Sequence, residues 1–153
     1  MTDLIFAVER LVDVIDECAP LLHDHWKDVA LDQDSITLDP DWDAYYALDS
    51  VGALVIITAR DDGLTLVGYS VYIVTENLHY KGLMIADSDI FWLAKTHRKG
   101  TAGMRLIRYS ETALASRGVH KIMSKVKTHR NVGPVFERMG YDEIERVYCK
   151  GVK

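Results

Sequence analysis

The sequence predicts an α+β domain: a mixed, mostly antiparallel central sheet flanked by helices, with one β-α-β crossover. Three observations carry the prediction. Residues 52–94 hold three apolar, β-rich runs divided by short turns, the pattern of an antiparallel meander. Residues 83–126 then read strand, helix, strand, which is a crossover to a parallel neighbour. Helical periodicity opens the chain, and no internal repeat or low-complexity tract follows, so residues 1–153 are expected to form one domain.

Leu4, Ile5, Val8, Leu11, Val12 and Ile15 fall on one helical face, so residues 3–18 are expected to be a helix. Pro20 interrupts the pattern, and LLHDHWKDVA (21–30) reads as a second, short helix. The acidic, aromatic stretch 31–50 has no clear period and is expected to be a loop with one helical turn. GALVIITA (52–59) is a strand and RDDG (60–63) its turn; 64–77 and 83–94 are the next two strands. TAGMRLIRYSETALASRG (101–118) is an amphipathic helix stopped by Gly118. HKIMSKVK (120–127) is a strand and NVGPVFERMG (131–140) a short helix with Pro134 in its first turn. YDEIERVYCKG (141–151) is a last strand.

The composition, 48% hydrophobic and 27% charged over 153 residues, is that of an ordinary globular domain. No apolar run approaches a bilayer span, and the N-terminal stretch carries acids without a basic leader, so neither a membrane anchor nor a signal peptide is expected. Cys18 and Cys149 form neither a disulfide framework nor a zinc spacing, and a reduced, cytoplasmic setting fits them. The net charge of −5 argues against direct nucleic-acid binding. His23 and His25 lie two apart, whereas a helical metal pair needs a spacing of four, so no metal is expected.

The most informative stretch is KTHRKGTAGMRLIRYSE (95–111). Its left end is basic and small, and a helix follows at once. A helix start exposes unpaired N–H groups and the positive end of a dipole, and glycine lets a ligand approach them. Backbone from Arg98 through Lys99, Gly100, Thr101, Ala102 and Gly103 to Met104 is therefore a candidate phosphate cradle, with Lys95, His97, Arg98 and Lys99 supplying charge.

The order of elements, with this turn in this place, resembles the GNAT family of acetyl-coenzyme A-dependent N-acyltransferases. Arg98-Lys99-Gly100-Thr101-Ala102-Gly103 aligns with that family's Gln/Arg-x-x-Gly-x-Gly/Ala motif. Arg98 and Gly103 match; Thr101 replaces the middle glycine, with Gly100 displaced by one. Asn131, followed by Val135-Phe136-Glu137-Arg138-Met139-Gly140-Tyr141, is similar to the family's Asn…Leu-Tyr-Glu-Lys-Leu-Gly-Phe. The stretch also resembles members encoded by tailed bacteriophages. The resemblance implies acetyl-coenzyme A as cosubstrate. Its diphosphate would lie on residues 98–104 and its pantetheine arm along 91–94, with Leu93 the chief backbone contact. Asn131 and Phe136 would lie beside the coenzyme.

Amide formation from a thioester needs a base for the ammonium and a donor for the oxyanion. Asp87, Asp89, Phe91 and Leu93 alternate along one predicted strand and are expected on one face. Asp87 falls near the glutamate base of some GNAT enzymes, and Asp89 is a second basic or substrate-binding group; either is equally readable as a solvated or lysine-paired edge residue. The family's tyrosine acid is replaced by Phe136, which has no proton to give. Tyr141, Tyr148, Ser124 or water remain as donors.

The expected partner is a primary amine on a small molecule or a protein, at a lysine or an N-terminus. His23, His25 and Trp26 are read either as acceptor contacts or as a helix with Trp26 packed inward and surface histidines. The acids and aromatics of 39–49 suit a cation. The competing reading is a GNAT-fold binding protein without turnover, virion-associated or directed at a host factor, with coenzyme A binding retained or lost. The open edge of the last strand is expected to allow a homodimer.

Overall fold

The computed structural model describes residues 3–152; Met1, Thr2 and Lys153, at the ends of the expected 1–153 domain, lie outside the described residues. The elements are β1 (Ile5–Glu9), α1 (Leu11–Val29), α2 (Trp42–Ser50), β2 (Leu54–Arg60), β3 (Leu66–Glu76), β4 (Met84–Leu93), α3 (Ala102–Ala115), β5 (Lys121–Met123) and α4 (Gly133–Arg138). The five strands lie in chain order; β1 to β4 are antiparallel and β5 joins β4 in parallel. The mostly antiparallel α+β sheet and the crossover through α3 are those expected.

Helices cover both faces of the sheet. Val55, Ile57, Ala86 and Leu93 pack with Leu106 and Leu114 of α3, while Leu54, Ile56, Tyr69 and Trp92 pack with Leu11 and Val14 of α1. This is why β2 reads as an unbroken apolar run: Leu54 to Ala59 are buried on both sides. Arg60 ties the layers together, donating to Glu9 of β1 and Glu17 of α1 at 2.8–3.1 Å. Arg10 donates to Asp49 at the end of α2.

Four expectations are corrected. Residues 3–18 are not one helix. Ile5 to Glu9 pair with Arg60 to Ile56, and the helix begins only at Leu11. Apolar residues at 4 and 8 suit either period, and the free edge of β2 decides. Pro20 lies inside the 19-residue α1 rather than between two helices. The hydrogen bond it forfeits is outweighed by helix packing on both sides of it, by Val14 before and Leu21 and His25 after. Segment 31–50 contains a nine-residue helix, α2, opened by Asp41, whose carboxylate accepts from Ala44 N at 2.9 Å. Finally, residues 141–151 form no strand, and β5 keeps only three of its expected eight residues (120–127). Past Met123 the ladder with β4 stops, and Lys125 N donates instead to Ser88 Oγ at 2.9 Å. The sheet edge expected on the last strand therefore belongs to β5.

The expected alternation along β4 also fails. Val71 faces Ile90 but Tyr72 faces Ser88, so Asp89 is an extra residue at a register shift. Ala86 and Leu93, seven positions apart, would stand on opposite faces of a regular strand, yet both join the α3-side core. Asp87 consequently stands on the α1/α2 side, opposite Leu93.

Leu106 is fully buried between α3 and the sheet. Leu106→Ala is expected to lower the unfolding free energy by about 2–5 kcal/mol, measurable by denaturant titration.

Candidate functional site

β4 ends at Leu93, and the chain makes a short 3-10 turn at Lys95–His97 before α3. Ala94 N donates to Val67 O, so across the planar peptide the Leu93 carbonyl points away from β3. Arg98 Nε donates to that carbonyl at 2.5 Å, and its Nη2 donates to Asp28 of α1 at 3.0 Å. Lys95 Nζ lies 2.7 Å from the other Asp28 oxygen. The Lys95 and Arg98 hydrogen bonds hold the Asp28 carboxyl down at about 2. Two cations expected to meet a ligand are thus committed to fixing the turn against α1.

The turn itself stays available. Gly100 has φ +57°, a conformation that favours glycine. The N–H groups of Lys99, Gly100, Thr101, Gly103 and Met104 have no acceptor among the described residues. Ala102 N bonds weakly to Lys99 O at 3.3 Å, and Thr101 does not use its hydroxyl to cap α3. A Cβ on Gly103 would meet no protein atom within 4 Å.

Beside this turn the sheet is open. β5 pairs with β4 only at Ile85, Ala86 and Asp87, so from Ser88 to Leu93 the outer edge of β4 has no strand partner among the described residues. Beyond β5 lies a groove of about 1050 Å³ that brings together Asp87, Ser124, Asn131, Phe136, Tyr141 and Tyr148. Asp89, Leu93 and residues 98–104 do not line it.

Asp87 is 45% exposed at its side chain and lies 3.4 Å from Lys125 Nζ, an edge ion pair as one sequence reading had it. Asp89 is exposed and accepts from the Tyr45 hydroxyl at 2.6 Å. Burial, then that hydrogen bond, pushes the Tyr45 phenol well above its usual range, so it remains a donor. Tyr45 was visible only as part of an acidic, aromatic segment.

Asn131 Oδ1 accepts from Gly133 N at 2.9 Å, a turn that leads into α4. Phe136 meets Tyr141 edge-on at 5.0 Å between ring centres. Burial first, then Glu111, raises the Tyr141 phenol. Its neighbours Glu111 and Tyr72 put it on the α3 side of the sheet. Tyr148 is 88% exposed.

The reading of α1 with surface histidines and an inward tryptophan is half reversed. His25 is buried, stacked on Trp92, with Nδ1 3.3 Å from the Tyr69 hydroxyl. Burial depresses its pKa to about 4. His23 is exposed and stacks on the half-buried Trp26. Among the described residues there is no group of three or more metal-binding side chains, and no helix long and apolar enough to cross a membrane.

No family model matches the sequence, and no curated protein is significantly similar to it. Solved structures do match. A ribosomal-protein-alanine N-acetyltransferase from Brucella melitensis biovar Abortus 2308 is 20% identical, covers 99% of each chain and has a TM-score of 0.74. Glucosamine-6-phosphate N-acetyltransferase from Arabidopsis thaliana is 12% identical over 99% of each chain, with a TM-score of 0.71. An aminoglycoside N-acetyltransferase in complex with CoA is 15% identical over 100% of this chain and 97% of its own, with a TM-score of 0.70. The chain has the GNAT fold that the sequence resemblance implied.

Two predictions follow from the site's geometry. Arg98→Ala releases both the Leu93 carbonyl and Asp28, and is expected to lower stability by about 1–2 kcal/mol, the solvent-facing share being screened. Thermal melts of the ligand-free protein read this directly. His25 has a folded pKa below its unfolded 6.5, so the unfolded chain binds a proton the folded chain refuses. Stability therefore falls as pH drops from about 6.5 toward 4, by at most about 1.4 kcal/mol per pH unit. His25→Phe should flatten that slope in melts between about pH 7 and 5, above most carboxylate titration.

Proposed function

We propose that this protein is an N-acyltransferase that moves an acetyl group from acetyl-coenzyme A to a primary amine. The observation that carries the reading is the turn at 99–104. A run of unpartnered N–H groups opens α3 beside an unpaired strand edge, in a fold shared with acetyltransferases, one of them bound to CoA. Those groups and Lys99 suit the coenzyme diphosphate. The free edge of β4 offers backbone partners to the pantetheine amides. Leu93 is a weaker contact than expected, since its carbonyl already serves Arg98.

In the reaction the amine nitrogen attacks the thioester carbonyl, the C–S bond breaks, and the coenzyme leaves as thiolate. The ammonium proton goes to a carboxylate, for which Asp87 and Asp89 are the candidates. Tyr141, kept protonated, is the candidate donor to sulfur in place of Phe136, with Ser124 in the same groove. The acceptor is a small-molecule or protein amine; the fold's relatives act on several, to judge by a ribosomal-protein alanine and glucosamine-6-phosphate. We place the activity in the cytoplasm, where Cys18 and Cys149 stay free thiols. A membrane or nucleic-acid partner is not part of this reading, and a homodimer would use the β5 edge. The second reading, a GNAT-fold binding protein without turnover that retains or has lost coenzyme binding, is favoured by Thr101 and Phe136.

Calorimetric titration with coenzyme A, then acetyl transfer over a panel of amines, separates the two. Saturable binding with turnover supports the enzyme; binding without turnover on any amine supports the binder. No binding to folded protein at millimolar coenzyme overturns the enzyme reading. Gly103→Val has room in the ligand-free protein, so it should leave the melting temperature nearly unchanged while weakening coenzyme binding by about tenfold or more.

A further inference from the structure

On the α1/α2 side of the sheet a slot of about 40 Å³ opens between the two helices. Its walls include Cys18 and Leu22 of α1, Trp42 and Tyr45 of α2, and Ile56 and Ile90 of the sheet. Both hydroxyls on the wall are already engaged, and the slot exposes no polar surface. The Tyr45 hydroxyl donates to Asp89, and the Tyr69 hydroxyl pairs with His25. Cys18 offers only a thiol, a weak donor that burial pushes up to about 12 and so keeps neutral. A hydroxyl or second charge placed here would lose its water without replacement.

The mouth of the slot is chemically different. Ile90 and Tyr45 belong to the walls, and between them they hold Asp89, the residue after which Ile90 follows and the acceptor of the Tyr45 hydroxyl. The register shift takes this exposed carboxylate out of the ladder, and the 2.6 Å bond from the Tyr45 hydroxyl ties it to a wall residue of the slot. The nearby segment 32–43 carries five aspartates and no lysine or arginine. An apolar slot with an anionic mouth matches one ligand class. We propose that it holds the tail of a small primary alkylamine whose ammonium rests on Asp89. The volume suits about three water-sized groups, hence the branched end of a short alkyl chain and not a sugar or an extended peptide.

The inference rests on reading Asp89 as facing the acceptor, but its test needs no coenzyme and so fails independently of the coenzyme reading. Isoamylamine, the polar aminopropanediol of matched size, and the uncharged isoamyl alcohol are titrated against the protein, followed by methyl NMR of Ile56 and Ile90. Isoamylamine should bind about tenfold or more tightly than either analogue and shift both methyl signals. Cys18→Leu fills the slot; it should abolish those shifts without lowering the melting temperature. Leu22→Phe does the same from the other wall should Cys18→Leu misfold. Asp89→Asn should weaken the amine and leave the alcohol unchanged. Equal affinity for amine and diol, shifts that survive both filled variants, or no binding by folded protein at millimolar amine would overturn the proposal.

Discussion

Strand β4 is bonded to β3 from Met84 to Leu93 on one edge and to β5 for only three residues on the other. Most of what the candidate site offers follows from this inequality. The antiparallel edge is required for the fold, since β3 and β4 carry Tyr69, Tyr72, Trp92 and Leu93 into the two cores. The parallel edge stops where Ser88 takes the Lys125 N–H onto its side chain. From there the two chains separate, and polar backbone is left facing solvent. Backbone of this kind is a ready partner for an extended ligand carrying amides of its own.

The turn that follows is fixed by charge, but not with the division of labour its sequence suggests. Lys95 and Arg98 meet on Asp28, and Arg98 also takes the last outward carbonyl of β4. A basic loop thereby becomes part of the scaffold, clamped to the end of α1. Exposed Lys99 and the free N–H groups remain for an anion. The clamp fixes the turn to α1, and under the proposed function it would reduce the ordering that binding must supply.

Much of this was legible in the sequence, and the failures have physical causes. The meander, the crossover and α3 were read correctly because their apolar residues repeat over long spans with one clear period. The first residues mislead because Leu4 and Val8 fit either a helical or a strand period, and only the neighbouring edge of β2 chooses between them. Pro20 was taken as a boundary because local chemistry disfavours it inside a helix; packing across α1 prevails. The candidate phosphate turn is legible because glycines, cations and a helix start coincide in one short stretch. The pairing of Asp28 with that turn spans about seventy residues of sequence and leaves no local mark. Nor does a register shift: nothing in DSDIF announces that Asp89 is the extra residue.

That shift also divides the candidate chemistry between the two sides of the sheet. Asp87 and Asp89 stand with α1 and α2, whereas Tyr141, beside Glu111 and Tyr72, stands with α3. On a regular strand Asp87 would share the face of Leu93 and point into the α3-side core, where an ionised carboxylate has no partner and burial is expensive. With the extra residue in place, Asp87 finds Lys125 and solvent, and Asp89 finds Tyr45. Acyl transfer takes a proton from the nitrogen and returns one to the sulfur, at opposite ends of the reacting carbonyl. Under the proposed function, a carboxylate on one face and a phenol on the other, with the open strand edge between them, would suit those two demands. Phe136 meets Tyr141 edge-on, and under the proposed function the ring would not need to carry the proton itself.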